Sequence, residues 1–244
     1  MPLDPDFVAR RDKGFTPNPA WAAVDNYTMS HLHPPSRPNH KHLEAALENS
    51  QAKGLPPIES SPVQSKFLAL QCRLANVKNV LEVGTLGGYT PIWIATENPD
   101  CHVTSIEVDS NHARVAQENI TNAGVSDRVT VLVGSALDIL PKMLAEIEAG
   151  KRERFGMSFI DADKMNNWTY FDLAVKMSYP KASVIVDNMA CRGMLVAEGR
   201  ENDTHVQGAR KVIELAGKDS RVDVVVMQIV SQRNYDGFLL AVVT

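Results

Sequence analysis

The chain has 244 residues, of which 44% are hydrophobic and 22% charged, with a formal net charge of -4. This length suffices for one α/β domain with a full core, and the mild acidity without a Lys/Arg-rich stripe argues against nucleic acid as a partner. The three widely separated cysteines form no zinc or disulfide pattern, and no apolar run approaches the roughly 18 residues of a membrane helix. We therefore expect a soluble, cytoplasmic protein with no membrane partner.

Residues 1–57 differ in composition from the rest of the chain. Up to about residue 40 they are rich in proline, asparagine and histidine, which disfavours helix and favours extended chain. A helical segment follows over residues 41–53 and ends at Gly54. We interpret 1–57 as a helical arm or lid on a main domain that covers 58–244.

The main domain alternates apolar runs with helical segments. A helix over 62–76, preceded by the capping candidates Ser60 and Ser61, leads into the first apolar run. The apolar runs that predict strands are NVLEVG, HVTSIEVD, RVTVLVG, GMSFID, ASVIVDN, VDVVVMQIV and GFLLAVV. Pro141 is expected to kink or restart the helix after the third run, and the short link SQRNYDG predicts an antiparallel final pair. Repeated βα units predict a doubly wound, Rossmann-like and mostly parallel sheet.

The segment LEVGTLGGYT, residues 81–90, forms a junction of strand, glycine loop and helix. Gly84 permits a close approach of the backbone to a ligand, and the helix start offers free N–H groups. The spacing departs from the GxGxxG fingerprint of dinucleotide sites, and Glu82 would repel a pyrophosphate but could contact an amino group. Glu107, at the end of the next strand, has the spacing of an acid that binds a ribose diol. A ribose and an amino group indicate S-adenosyl-L-methionine (SAM); the simpler alternative is a tight turn with solvated acids.

Charged side chains follow two later strands. FIDADK ends a strand with Asp161, Asp163 and Lys164, and VIVDN ends another with Asp187 and Asn188. If these strands are neighbours, two carboxylates and an amide oxygen meet in one crevice and suit Mg²⁺, Ca²⁺ or Mn²⁺. The alternative is that the two acids only cap the helices that follow them.

Together these motifs resemble the cation-dependent O-methyltransferases of the caffeoyl-CoA and catechol type. The similarity spans roughly residues 58–244 and rests on PVQSKFL, LEVGTLGGYT, IEVD, VGSALDILP, FIDADK, VDN and YDG, in the order of the family. It implies a homodimeric enzyme with a seven-stranded sheet whose last strand is antiparallel, and SAM and Mg²⁺ (or Ca²⁺ or Mn²⁺) as cofactors. The implied substrate is a vicinal diphenol, namely a catechol, a caffeoyl-type compound or a flavonoid.

The resemblance also implies roles for individual residues. Lys164 would be the general base beside Asp161, and the metal ligands would be Asp161, Asp187 and Asn188. The residues implied to bind SAM are Ser60, Val63, Glu82, Gly84, Thr85, Leu86, Thr90, Glu107, Val108, Ala136, Asp161 and Asp163.

Two departures from the family pattern limit what the resemblance implies. The chain reads YPKAS where the family often has Gly-Gly, and Arg192 stands where some plant members carry an asparagine that contacts the substrate. The identity of the acceptor is therefore not transferred. An NAD-binding oxidoreductase of similar fold and a non-catalytic SAM-binding protein remain as alternatives.

Overall fold

The computed structural model of the chain describes residues 18–232 and 234–244, and within them it forms one seven-stranded sheet. The strands are β1 Asn79–Val83, β2 His102–Glu107, β3 Val129–Val133, β4 Phe155–Ile160, β5 Ser178–Asp187, β6 Val222–Val230 and β7 Tyr235–Val243. Their order in the sheet is β3-β2-β1-β4-β5-β7-β6. Strands β1 to β5 run parallel, whereas β7 is antiparallel to both β5 and β6. The predicted Rossmann-like sheet with an antiparallel end is confirmed.

Helices cover both faces of this sheet. They are α1 Pro19–Leu32, α2 His40–Ala52, α3 Pro62–Leu74, α4 Tyr89–Glu97, α5 Ser110–Asn122, α6 Ala136–Glu148, α7 Asn167–Lys176 and α8 Thr204–Ala216. Buried side chains of α2 to α5 form the core on one face, and those of α6 to α8 form the core on the other. Burial on both faces explains why the strands read as continuous apolar runs. None of the helices in the part of the chain that the structure describes is long and apolar enough to cross a membrane.

Two local predictions about helices need correction, and one helix was missed. The predicted extended chain before residue 40 contains the helix α1, which starts at Asn18, whose side chain accepts a hydrogen bond from Ala20 N at 3.0 Å; residues 1–17 lie outside the described part. The helix α6 runs without a break through Pro141, which lies on the exposed face. The helix α8 was not predicted from the sequence.

A bulge precedes the buried part of β5. The pairing of β4 with β5 shifts between Phe155↔Ser178 and Met157↔Ser183. Lys181, inside the bulge, has φ 68°, a left-handed conformation that favours glycine. Within YPKAS, Lys181 thus adopts a backbone conformation that suits glycine, the residue that the family resemblance led us to expect near this position.

The strand order reverses between β1 and β4, and a crevice opens there at the carboxyl ends of the strands. Asp161 N donates a hydrogen bond to Val83 O at 2.8 Å, which joins the segments after these two strands. A Cβ atom at Gly84, where φ is 99°, would lie 2.1 Å from Asp161 O. Only glycine therefore fits where the glycine loop crosses the end of β4.

Candidate active site

Glu107 anchors the glycine loop. Its Oε2 accepts hydrogen bonds from Thr85 N at 3.1 Å and Leu86 N at 2.8 Å. Its Oε1 accepts from Asp109 N at 3.0 Å. A carboxylate offers about four acceptor positions, so Oε1 retains capacity for one more donor, such as a ribose hydroxyl. The predicted cofactor acid is therefore held rigidly at the end of β2.

Glu82 is buried within β1, next to the same loop. Ser105 Oγ donates a hydrogen bond to Glu82 Oε2, and Thr85 Oγ1 lies 2.5 Å from Ser105 Oγ. Burial raises the pKa of Glu82 well above its ordinary value; the hydrogen bond from Ser105 opposes this shift, and the charges of Asp161 and Glu107 add to it. A positively charged ligand group beside this carboxyl would favour its ionised form. This environment suits the predicted contact with an amino group.

The other residues predicted to bind SAM differ in exposure. The buried ones are Ser60, Thr85, Thr90 and Ala136, the partly buried ones are Gly84, Leu86 and Asp161, and the exposed ones are Val63, Val108 and Asp163. Asp163 accepts hydrogen bonds from the hydroxyl of Tyr170 at 2.6 Å and from the side-chain amide of Asn166. The ring of Tyr170 is buried in the core below, so Asp163 is tied to α7.

Lys164 begins the short 3₁₀ turn Lys164–Asn166 that follows β4 and is only 8% exposed. Its Nζ donates to Asp161 Oδ1 at 2.7 Å and forms an ion pair there. The helix α8 covers its backbone, since a Cβ at Gly208 would lie 2.1 Å from Lys164 O. Lys164 is therefore a buried and oriented amine, which a surface lysine is not.

Asp187 lies beside Asp161 across two adjacent strands, because Ile160 pairs with Val186 in the parallel register. Gln64 Nε2, from the first turn of α3, donates to Asp187 Oδ1 at 2.8 Å. Burial and the charge of Asp161 raise the pKa of Asp187 to about 7, although Lys164 opposes the shift. The position of Asp187 beside Asp161 is therefore a buried environment that disfavours two negative charges at once.

This donor set fits a hard divalent cation. Two carboxyl groups and the side-chain amide of the neighbouring Asn188 carry oxygens of the kind that Mg²⁺, Ca²⁺ and Mn²⁺ prefer. Across residues 18–232 and 234–244, no cluster of three or more His, Cys, Asp or Glu side chains could hold a metal ion. The site described here contains only two carboxyl residues, so a third side-chain ligand for a metal ion would have to come from the amide of Asn188. The side-chain partners of Asp161 and Asp187 are Lys164 and Gln64 rather than the backbone amides of a helix start.

Two residues at this edge were not predicted from the sequence. One is Gln64, within PVQSKFL, and the other is Asp236, within YDG. Asp236 Oδ1 accepts from Ala190 N at 3.1 Å, Cys191 N at 3.0 Å and Gly237 N at 3.0 Å. Both motifs were visible as parts of the family resemblance, but neither residue had a local signal for its partner.

The geometry defines a class: a Rossmann-like α/β protein whose ligand crevice combines a glycine loop with a buried lysine and a pair of carboxylates. A family model described as O-methyltransferase matches residues 34–242. The O-methyltransferase imqG of Aspergillus flavus is 57% identical over 230 residues, which are 94% of this chain and 93% of that protein. The chain therefore belongs to the O-methyltransferase family.

Two further comparisons agree with this membership. The catechol O-methyltransferase of Niastella koreensis is 40% identical over 202 residues, 82% of this chain and 89% of that protein. A solved O-methyltransferase from Bacillus cereus, in complex with SAH, has a TM-score of 0.84 and 40% identity, and the match covers 93% of this chain and 99% of that one. SAH is what remains of SAM once its methyl group has left. The chain is a SAM-dependent O-methyltransferase, and the oxidoreductase and non-catalytic alternatives are set aside.

Proposed function

We propose that the enzyme transfers the methyl group of SAM to one hydroxyl of a vicinal diphenol and depends on a divalent cation, Mg²⁺ in the first instance. The observation that supports the metal is that the carboxyl groups of Asp161 and Asp187 follow paired positions on two adjacent strands, where a cation would relieve their mutual repulsion. The relative named catechol O-methyltransferase supports the acceptor class. Catechols, caffeoyl-type compounds and flavonoids all carry two adjacent phenolic hydroxyls.

Asp161, Asp187 and Asn188 would hold the cation. When bound, it supplies Lewis-acid stabilisation of a phenolate and a template for two neighbouring oxygens. The chain prepares this position before any ligand arrives, because Gln64 holds Asp187 and Lys164 holds Asp161. The residues therefore fit the ion in both charge and chemistry.

Lys164 Nζ, as the neutral amine that remains once the ammonium has lost a proton, would accept the proton of the phenol that is methylated. Its distance of 2.7 Å from Asp161 Oδ1 fixes the nitrogen at the crevice, as a general base requires. Glu82 and Glu107 would hold the amino group and ribose of SAM, on the β1 and β2 side of the same crevice. Placing the methyl group and the acceptor oxygen at contact distance can supply about 7 to 11 kcal/mol of the barrier reduction.

A homodimer is the assembly that we propose for this enzyme. The helix α1 buries none of its own residues, and Val24, Tyr27 and Leu32 on it are exposed. Apolar side chains left exposed on one helix suit a protein partner. Light scattering coupled to size exclusion would measure the mass, and a monomer at micromolar concentration would contradict the proposal.

The test of function is a methyl-transfer assay with matched acceptors. Caffeate and catechol are compared with 4-coumarate and phenol, which lack the second hydroxyl, each with Mg²⁺ or with EDTA. We expect turnover only of the diphenols and only with Mg²⁺. Full activity in EDTA would contradict the metal, and equal turnover of the monophenols would contradict the acceptor class.

A further inference from the structure

We propose that Asp236 is a positioning residue that holds the Asn188 turn in the conformation required for metal binding. The inference rests on the proposed function, since it concerns the residue next to Asp187 in that site. Asp236 itself is directed to the backbone, because one of its carboxylate oxygens accepts three N–H groups.

The Asn188 turn, defined here as residues 187–192, has an unfavourable backbone. Asn188 has φ 61°, Cys191 φ 49° and Arg192 φ 55°, all in the left-handed region. Such conformations cost non-glycine residues on the order of 1 kcal/mol or more each, and they persist only where the surroundings impose them. Something outside the turn must therefore hold it.

The start of β7 supplies that restraint. Asp187 pairs with Phe238 in the antiparallel register, and Met189 N donates to Gly237 O at 2.8 Å. Asp236 Oδ1 adds the bonds from Ala190 N and Cys191 N, two and three residues after the left-handed residue Asn188. Backbone pairing before Asn188 and hydrogen bonds after it therefore both connect the turn to β7.

The segment that carries Asp236 is itself rigid. A Cβ at Gly237 would lie 2.4 Å from Met227 O, so the backbone here is pressed against β6. Asp236 is buried, and a carboxylate in such a place has only acceptor oxygens to offer the three donors. An asparagine would offer a neutral and weaker acceptor, and an alanine would offer none.

The experiment measures metal binding directly. Wild type, Asp236→Ala and Asp236→Asn are titrated calorimetrically with Mn²⁺ alone and, separately, with SAM. Asp219→Ala is the control, because Asp219 also accepts a backbone hydrogen bond, from Arg221 N at 3.0 Å, but at the opposite edge of the sheet. We expect Asp236→Ala to weaken Mn²⁺ binding by about 10- to 100-fold, Asp236→Asn by less, and the control not at all. SAM affinity should be unchanged in all of them.

The outcomes separate this inference from the proposed function. If wild type binds Mn²⁺ and folded Asp236→Ala binds it equally well, the positioning role is overturned and the function stands. If wild type binds no Mn²⁺, the metal-dependent function fails, and the inference fails with it. If circular dichroism shows that Asp236→Ala does not fold, Asp236→Asn decides: wild-type Mn²⁺ affinity overturns the role, and a loss with SAM affinity retained supports it.

Discussion

The side chain of Lys164 is both buried and ion-paired. It is 8% exposed, and its Nζ is 2.7 Å from Asp161 Oδ1. We predict that Lys164→Met lowers kcat by about 10²- to 10⁴-fold, because methionine fills the space but accepts no proton. SAM affinity, measured by calorimetry, should stay near that of wild type.

Lys176→Met is the matched control for this prediction. Lys176 also pairs with an aspartate at 2.7 Å, Asp172, but within the exposed surface of α7. It should retain the wild-type kcat. Equal losses in the two variants would show that a buried amine at position 164 has no special part in the reaction.

Gln64 acts on the site through Asp187, its hydrogen-bond acceptor. We predict that Gln64→Leu raises the Mg²⁺ concentration needed for half-maximal activity by about 10-fold, because the hydrogen bond that orients the proposed ligand Asp187 is lost. Saturating Mg²⁺ should restore most of kcat. Gln71→Leu, on the same helix, is the control, and an unchanged Mg²⁺ requirement in Gln64→Leu would contradict the role.

The acids of the site could be predicted from the sequence, but their supports could not. Asp161 and Asp187 each end an apolar run, and the rule that parallel strands end at one edge brings them together. Gln64 is 123 residues from Asp187, and Asp236 is 46 residues from Ala190. Such partners follow from the pairing of β5 with β7 and the docking of α3, which no local pattern specifies.

At the level of the elements, the crossing of β1 and β4 depends on Gly84. We predict that Gly84→Ala lowers the free energy of unfolding by about 2 to 4 kcal/mol, because overpacking adds to the cost of a left-handed conformation. Gly124→Ala measures the cost of the left-handed conformation alone, since Gly124 has φ 70° and nothing within 4 Å of an added Cβ. It should lose only about 1 kcal/mol in urea unfolding. Equal losses of stability in the two variants would mean that the backbone at Asp161 moves away from the added methyl group at no cost.

A cluster of ion pairs joins the start of β6 to α7. Arg221 contacts Asp219 Oδ1 at 2.9 Å and Asp172 Oδ1 at 2.8 Å. The hydrogen bond from Arg221 holds the pKa of Asp219 below its ordinary value, against the opposing effect of burial. A lowered pKa in the folded state means that this stabilisation is present above the unfolded pKa, about 3.9, and is lost as the pH falls through the folded value.

We predict that wild type is more stable than Asp219→Asn at pH 7 and that the difference shrinks below about pH 4. The measurement is urea unfolding of both proteins between pH 3 and 7. Wild type and variant share every other titrating group, so their difference reports on Asp219. A difference that is constant over this range would contradict the assigned cause.

The strands were predictable, whereas the helix α1 was not, for a physical reason. Each strand is an apolar run bounded by polar turns, whereas α1 buries none of its residues and so shows no apolar period. The helix α8 does carry an apolar period, formed by the buried residues Val206, Ala209, Val212 and Ala216. Its sequence therefore held a signal, which the helix-disfavouring Gly208, packed on Lys164 O, interrupts. Pro141 leaves α6 intact because it lies on the exposed face, where water can reach the backbone carbonyl that loses its donor.

Over the whole molecule, the reversal of strand order divides the crevice into two halves. The ends of β1 and β2 carry Glu82 and Glu107, and the ends of β4 and β5 carry Asp161 and Asp187. The halves meet where Asp161 N donates to Val83 O. Because Glu107 lies in one half and Asp187 in the other, occupancy of one half should stabilise the fold without the other.

This separation predicts the response of unfolding to each ligand. SAM or Mn²⁺ at about 100 times its Kd should each add about 2.7 kcal/mol to the free energy of unfolding, which raises the Tm by about 5 to 10 °C. Asp187→Asn should lose the Mn²⁺ shift and keep the SAM shift, whereas Glu107→Gln should do the reverse. Scanning fluorimetry of the three proteins with each ligand measures all six shifts. A full Mn²⁺-induced rise in Tm in Asp187→Asn would show that the ion binds elsewhere, because this variant lacks the carboxylate that the proposed site requires.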